Sequence, residues 1–162
     1  MMTSTRFAVA IHILAGIALH DGEAVRSEDL ARSINTNASV VRRIVGLLAD
    51  AGITRSQLGQ GGGSLLARSA DAITLLDVMR AVEEPGFFAL HRAEPNQQCS
   101  LGRNIVPVLE AELDRVSATM EDALAKTTLT DIIHKVEGRV GKPFTPQNWR
   151  ASAKSRTKIA IA

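Results

Sequence analysis

The 162-residue sequence contains no tyrosine, one tryptophan, four phenylalanines and a single cysteine. With so few aromatic rings the core has to be assembled from Leu, Ile, Val and Ala, which favours packed helices over a sandwich or barrel. The lone thiol, Cys99, excludes an intrachain disulfide framework. No uncharged apolar run approaches the ~18 residues of a membrane span, and the N-terminal residues show no basic, apolar, small-residue leader pattern. The expectation is a cytoplasmic protein without membrane contact. Catalytic constellations are missing too. There is no Ser/His/Asp set and no carboxylate pair placed for acid–base work, and the glycines from Gly59 to Gly63 lack the Gly-Lys-Ser/Thr ending of a phosphate loop. His12, His20, His91 and His134 never fall at ligand spacing such as i, i+4. They read as packing or surface residues, and neither a metal site nor an enzyme is expected.

What is present is an uneven charge. The net value is only +2, yet residues 1–68 carry seven arginines against five acids, residues 69–138 six basic groups against twelve acids, and residues 139–162 six basic groups and no acid. The basic balance is therefore mostly a property of the tail and says little about what the rest binds.

From Ser4 to about His20 apolar residues recur at helical spacing, as Phe7, Ile11, Leu14 and Ala18, and Asp21-Gly22 closes that helix. Ser27 reads as the N-cap of a short second helix, with Glu28 and Asp29 at the positive end of its dipole and Leu30, Ala31 and Ile34 inward. After the polar break Asn35-Thr36-Asn37, either Asn37 or Ser39 caps a third helix that runs to about Asp50. Val40, Val41, Ile44, Leu47 and Leu48 mark its inner side, and Gly52 sits where a left-handed residue ends a helix. Ile53-Thr54-Arg55 and Ser64-Leu65-Leu66-Ala67 flank the glycine turn as two short strands. Helix, short helix, tight turn, helix and hairpin is the order of a winged helix-turn-helix.

Beyond the hairpin, Thr74 and Asp77 form a capping-box variant ahead of Leu75, Leu76, Val78, Met79 and Val82. Glu84-Pro85-Gly86 ends that helix, and Phe87-Phe88-Ala89-Leu90 suggests a short strand. Ile105, Leu109, Leu113, Val116, Met120 and Leu124 then recur in steps of 4, 4, 3, 4 and 4, a single apolar seam along one long helix. Such a helix exceeds what the small domain beside it can cover. Its simplest partner is the same helix of a second subunit, giving a two-fold homodimer. Because proline is tolerated only near a first turn, Pro107 sets the regular start at Ile105 or Val106. A short helix over 128–136 and a mobile tail from Gly138 complete the reading. The fold class is mainly α, divided into a winged helix-turn-helix domain (1–84), an effector-type loop with the dimerisation helix (85–137), and a basic tail (138–162).

These elements carry residues that resemble the Rrf2 family of bacterial transcription regulators. They are Thr3-Ser4-Thr5-Arg6-Phe7-Ala8, Ala49-Asp50-Ala51-Gly52-Ile53, Gly59-Gln60-Gly61-Gly62-Gly63, Ile73-Thr74-Leu75-Leu76-Asp77-Val78 with Ala81-Val82-Glu83, Cys99-Ser100-Leu101, and Thr127-Thr128-Leu129-Thr130-Asp131-Ile132. The resemblance covers roughly residues 2–136. It implies a homodimer crossed through the long helix, a repressor with one recognition helix and one wing per subunit on each half of a (pseudo)palindromic operator in double-stranded DNA. Several members of the family hold an iron–sulfur cluster on three cysteines before that helix. Here Leu90 to Gln98 contains no thiol, and Cys99 stands where the last of the three would. One Cys and one His per subunit are too few for a conventional cluster. The chain thus resembles the cluster-free branch, and no cofactor is expected. Family wings usually place Arg before the first glycine and an aromatic residue after the last, where this chain has Leu58 and Ser64. Family recognition helices often carry an aromatic residue at the position of Val40 and an acid at that of Arg42.

The candidate DNA-reading residues are Asn37, Ser39, Val40, Arg42 and Arg43 on the first turns of the recognition helix, because Arg can pair with guanine and Asn with adenine in the major groove. Asn37 as a plain cap and the arginines as a solvated face are the alternatives. Ser4, Thr5 and Arg6, with Ser27, stand at helix N-termini whose free N–H groups suit phosphates; capping alone explains Ser27 nearly as well. Gly61 and Gly62 let the wing lie close to a backbone, with Arg55 and Gln60 as its polar groups. Cys99 admits three readings: a small buried apolar residue, a thiol sensor at the start of the long helix, or a ligand. A winged helix that binds protein, or a regulator sensing redox state or a ligand, are the competing functions, and no residue names an effector.

Overall fold

The computed structural model describes residues 4–20 and 22–145; Thr3, Asp21 and the tail from residue 146, all used above, lie outside the described residues. In chain order come α1 (Arg6–Ala18), α2 (Ser27–Ile34), α3 (Ala38–Asp50), β1 (Thr54–Gln57), β2 (Gly63–Leu66), α4 (Leu75–Val82), α5 (Ser100–Ala125) and α6 (Leu129–Val140), with a 3-10 turn at Ala70–Ala72. The fold is mainly helical, with a two-stranded antiparallel hairpin whose register runs from Thr54 opposite Leu66 to Gln57 opposite Gly63.

The core lies where α1, α2, α3 and α4 converge. Ile13, Leu14, Leu30, Val41, Leu48, Ile53, Ile73 and Val78 are fully buried there, joined by Leu129 from α6. Each such aliphatic side chain contributes about 1.5–3 kcal/mol by leaving water. The helices turn differently from the sequence reading. Helix α1 buries Ala10, Ile13, Leu14 and Ile17, while Phe7, Ile11 and Ala18 are only partly covered. Helix α3 buries Val45 and leaves Val40 42% exposed, so Val40 belongs to the outer face. Apolar residues stand on more than one side of both helices, and the packing chooses among them.

Local signals set most boundaries. Asn37 caps α3, its side chain accepting from the Ser39 N–H at 2.9 Å, and Gly52 beyond the end takes φ +68°. Helix α2 stops at Asn35 in the left-handed conformation, φ 61°, which Asn tolerates better than most residues. Ser27 is not a cap. It is the first helical residue, preceded by Arg26 in extended conformation, whose side chain makes no cap hydrogen bond. The Thr74/Asp77 capping box forms in full, and a second one at Thr128/Asp131 starts α6. The two boxes meet, since Thr74 and Thr128 form a bridge and Leu75 N–H donates to Thr127 O at 2.9 Å.

Three boundaries differ from expectation. Residues 87–90 form no strand; the Phe87 and Phe88 rings lie 6.5 Å apart in an irregular segment. Helix α5 begins at Ser100, so Pro107 lies inside it. The Arg103 carbonyl consequently receives no N–H from Pro107, a loss tolerable because Pro107 is exposed and water can reach that turn. Helix α6 continues to Val140, past the expected tail boundary, and Gly141 ends it at φ 75°. None of the 26 residues of α5 is buried. Ile105, Leu109, Leu113, Val116 and Leu124 are half-covered and Met120 exposed, while Leu101 at 68% and Val108 at 58% stand further out than the seam itself.

Candidate nucleic-acid interface

The outer surface of α3 gathers the sequence candidates. Ser39, Val40, Arg42 and Arg43 are all exposed on its first turns. Asn37 is committed to the cap, its Oδ1 accepting from both the N–H and the hydroxyl of Ser39, at 2.9 and 3.0 Å. Arg43 makes no ion pair among the described residues. Arg42 instead reaches across to α2 and pairs with Glu28 through Nη2 and Oε1. Hydrogen bonding to the Glu28 backbone, then the Arg42 guanidinium, hold the Glu28 carboxyl below the usual carboxylate range, and Arg26 adds to the same field.

The wing is fixed at its base. Thr54 is buried and its hydroxyl donates to Val45 O on α3 at 3.3 Å, while Val25, just before α2, pairs with Ser64 of β2. The turn itself is all backbone. Gly59 and Gly61 have φ near +89° and +80°, and a Cβ on Gly62 would stand 2.5 Å from Gln57 O. Arg55 and Gln60 are exposed, and Leu58, where family wings carry Arg, is 92% exposed.

Arg26 is absent from the sequence candidates. It is exposed and lines one shallow groove with Ser27, Glu28, Gln57, Gln60 and Gly61, so it lies between α2 and the wing. Its signal was its place directly before a helix start, hidden by reading Ser27 as the cap.

Ser4 and Arg6 have partners within the chain. Thr5 precedes α1 without a side-chain cap bond, and the Ser4 hydroxyl accepts from Arg6 N–H and Nε at 3.2 Å. The Glu83 carboxylate, at the end of α4, accepts from Phe7 N–H at 3.2 Å and pairs with Arg6 Nη2 at 3.4 Å. The chain's own acid thus stands where the sequence reading put a phosphate.

Cys99 is exposed, which corrects the reading of it as a small buried residue. It sits at the N-cap of α5, where the N–H groups of Gly102 and then Leu101 hold its thiol below the ordinary value. Among the histidines, His20 is buried with Nδ1 2.7 Å from Gly16 O, and His12 meets the Ser33 hydroxyl at 3.0 Å. Among the described residues no helix is long and apolar enough to cross a membrane.

The model of the Rrf2 family, described as iron-dependent transcriptional regulators, matches residues 3–135. YwnA of Bacillus subtilis strain 168 is 42% identical over 134 residues, covering 82% of this chain and 98% of its own. CymR of the same organism, an HTH-type transcriptional regulator, is 30% identical over 130 residues, covering 78% and 92%. The solved structure of that CymR, the global cysteine regulator, superposes with a TM-score of 0.63 at 23% identity over 82% of this chain and 95% of its own. IscR of T. potens gives 0.65 at 22% over 86% and 90%, and both agree in fold.

The family description names iron, and the donors this chain could bring to it can be counted. Cys99 is its only cysteine, and among the described residues no three His, Cys, Asp or Glu side chains gather as a metal site. A single exposed thiol does not by itself fit an iron–sulfur cluster. The extent of the family match, the two B. subtilis relatives and the winged helix-turn-helix fold lead to one assignment: the chain belongs to the Rrf2 family and is a transcription regulator, not an enzyme.

Proposed function

We propose that the protein is a repressor that binds a two-fold operator in double-stranded DNA as a homodimer in the cytoplasm, without an iron–sulfur cluster. The observation that carries this reading is the exposed face of α3, with Ser39, Val40, Arg42 and Arg43 beside a wing whose base is clamped to α2 and α3. Side chains in this position reach base edges when a recognition helix enters the major groove. Gly61, Gly62, Arg55 and Gln60 would meet the backbone alongside it. The dimer rests on α5, a 26-residue helix with no buried residue. Two-fold symmetry then sets the half-sites about one helical turn, ~34 Å, or a multiple of it apart.

The test is fluorescence anisotropy with duplex from upstream of the protein's own gene and a scrambled duplex of equal length, over a salt series. Preference for the upstream duplex and an affinity that falls linearly with log salt are the expected results. Equal affinity for both duplexes, or none for either, overturns the reading. Arg43→Ala is expected to cost about 1–3 kcal/mol on the preferred duplex alone if Arg43 reads a base.

A further inference from the structure

Glu28 is an acid on the surface where the proposed interface needs cations. It stands in the first turn of α2, exposed, between Arg26 two residues earlier and Arg42 on the recognition helix. Duplex DNA is a dense polyanion, and neutralising phosphates with arginines supplies most of non-specific affinity. A carboxylate here therefore weakens sequence-independent binding. A free arginine side chain samples many rotamers and swings readily to the nearest phosphate, whereas one held by a carboxylate presents its donors in one direction. Closing the interface expels water around the pair and strengthens its attraction.

We infer that Glu28 is a specificity-determining positioning residue: it holds the Arg42 guanidinium at the front of the recognition helix, so that Arg42 discriminates between bases instead of neutralising phosphates. The inference rests on the DNA-binding reading above. Arg26 lines the same groove as Glu28 and Leu58 and supplies a cation there. The lowered Glu28 titration agrees with a carboxylate that stays charged beside both arginines.

The experiment uses the full chain and the same upstream and scrambled duplexes, with wild type, Glu28→Gln, Arg42→Ala and the double variant. Urea midpoints establish that each variant is folded. Glu28→Gln is expected to bind the scrambled duplex about threefold or more tightly and to steepen the salt slope by about one, as a guanidinium becomes free for phosphate. Its preference for the upstream duplex falls about fivefold or more, the range of one base contact. In the Arg42→Ala background the same substitution changes that preference by less than about twofold, because the effect runs through Arg42. An unchanged preference in Glu28→Gln, or an equal fall in both backgrounds, overturns the inference. A wild-type protein that distinguishes neither duplex overturns the DNA-binding reading itself and this inference with it, a result that involves no variant.

Discussion

Val25 and Ser64 exchange both of their backbone hydrogen bonds, Val25 N–H to Ser64 O at 3.0 Å and Ser64 N–H to Val25 O at 2.9 Å. Val25, two residues before α2, thereby adds a short third rung to the wing. This contact fixes where α2 starts, brings Arg26 to the side of the hairpin, and makes the wing one body with the helix-turn-helix. Ser64 is the residue that replaces the family's aromatic, and it is buried because its neighbour is backbone.

Gly63 is what allows that approach. A Cβ on it would lie 2.5 Å from Val25 O and 2.7 Å from Val25 C, and neither atom can turn aside as a side-chain tip would. Gly63→Ala is expected to destabilise the protein by about 1–3 kcal/mol and to loosen the wing. Gly46→Ala is the contrasting substitution, since Gly46 lies mid-helix in α3 with nothing within 4 Å of an added Cβ. It should stabilise by about 0.5–1 kcal/mol. Urea midpoints of both variants check the pair, and an Ala at 63 without cost would contradict the Val25 contact.

Asp131 links stability to acid. In the α6 capping box Thr128 N–H donates to Asp131 Oδ2 at 2.8 Å and Asp131 N–H to the Thr128 hydroxyl at 3.2 Å. The Thr128 backbone N–H, then its hydroxyl, hold the Asp131 carboxyl below its ordinary 3.8, with Lys135 and His134 adding smaller attractions. The folded value lies below the unfolded one. Its stabilising effect is therefore complete above the unfolded pKa and disappears as pH falls through the folded one. Asp131→Asn should lower the urea midpoint at neutral pH and flatten its decline in acid, measured from roughly pH 6 to pH 2.5. An acid limb identical to wild type would show that the box does not titrate.

The legible parts of this fold were those written in short-range chemistry. Thr74-x-x-Asp77, Asn37, Gly52 and the glycines of the wing act on their own backbone or on neighbours a few residues away, so the sequence names them directly. What the sequence could not place depended on a distant partner. Which face of α1 turns inward is decided by α3 and α4. Ser27 is the first helical residue instead of the cap, two residues after Val25, whose partner Ser64 lies 39 positions along the chain. Helix α5 begins before Pro107 because a solvent-facing turn tolerates the missing bond. Within the candidate site helical spacing left Ser39, Arg42 and Arg43 outside, as they are, but counted Val40 among the inward residues, whereas the Arg42–Glu28 and Arg6–Glu83 pairs join separate elements and leave no local trace.

Cys99 should ionise early. Its thiol is exposed, and the N–H groups of Gly102 and Leu101 at the start of α5 lower its pKa from the ordinary 9.0 by favouring the thiolate. Alkylation by iodoacetamide is expected to reach its half-maximal rate at a lower pH in the native protein than in the urea-unfolded chain. Coincident profiles would show that the helix N-terminus does not act on the thiol.

The dimer reading makes a demand on α5 that differs from the seam alone. Ile105, Leu109, Leu113, Val116 and Leu124 are already half-covered within the subunit, and α4 is tied to the same helix by Arg80 and Glu121, whose side chains meet at 2.7 Å. Leu101 and Val108, seven residues apart and so nearly in line along the helix, have no such cover. A second subunit that buries α5 must cover this stripe along with the seam. Val108→Glu should then shift the protein from dimer to monomer at micromolar concentration in sedimentation equilibrium, because a carboxylate would have to enter an apolar interface unpaired. It should leave the far-UV helix signal intact, since Val108 is 58% exposed in the single subunit. Leu113→Glu is expected to weaken the dimer and also lower the urea midpoint, having cover in both places. A Val108→Glu protein that dimerises like wild type would exclude this stripe from the interface and leave the seam as the only apolar route to a partner on α5.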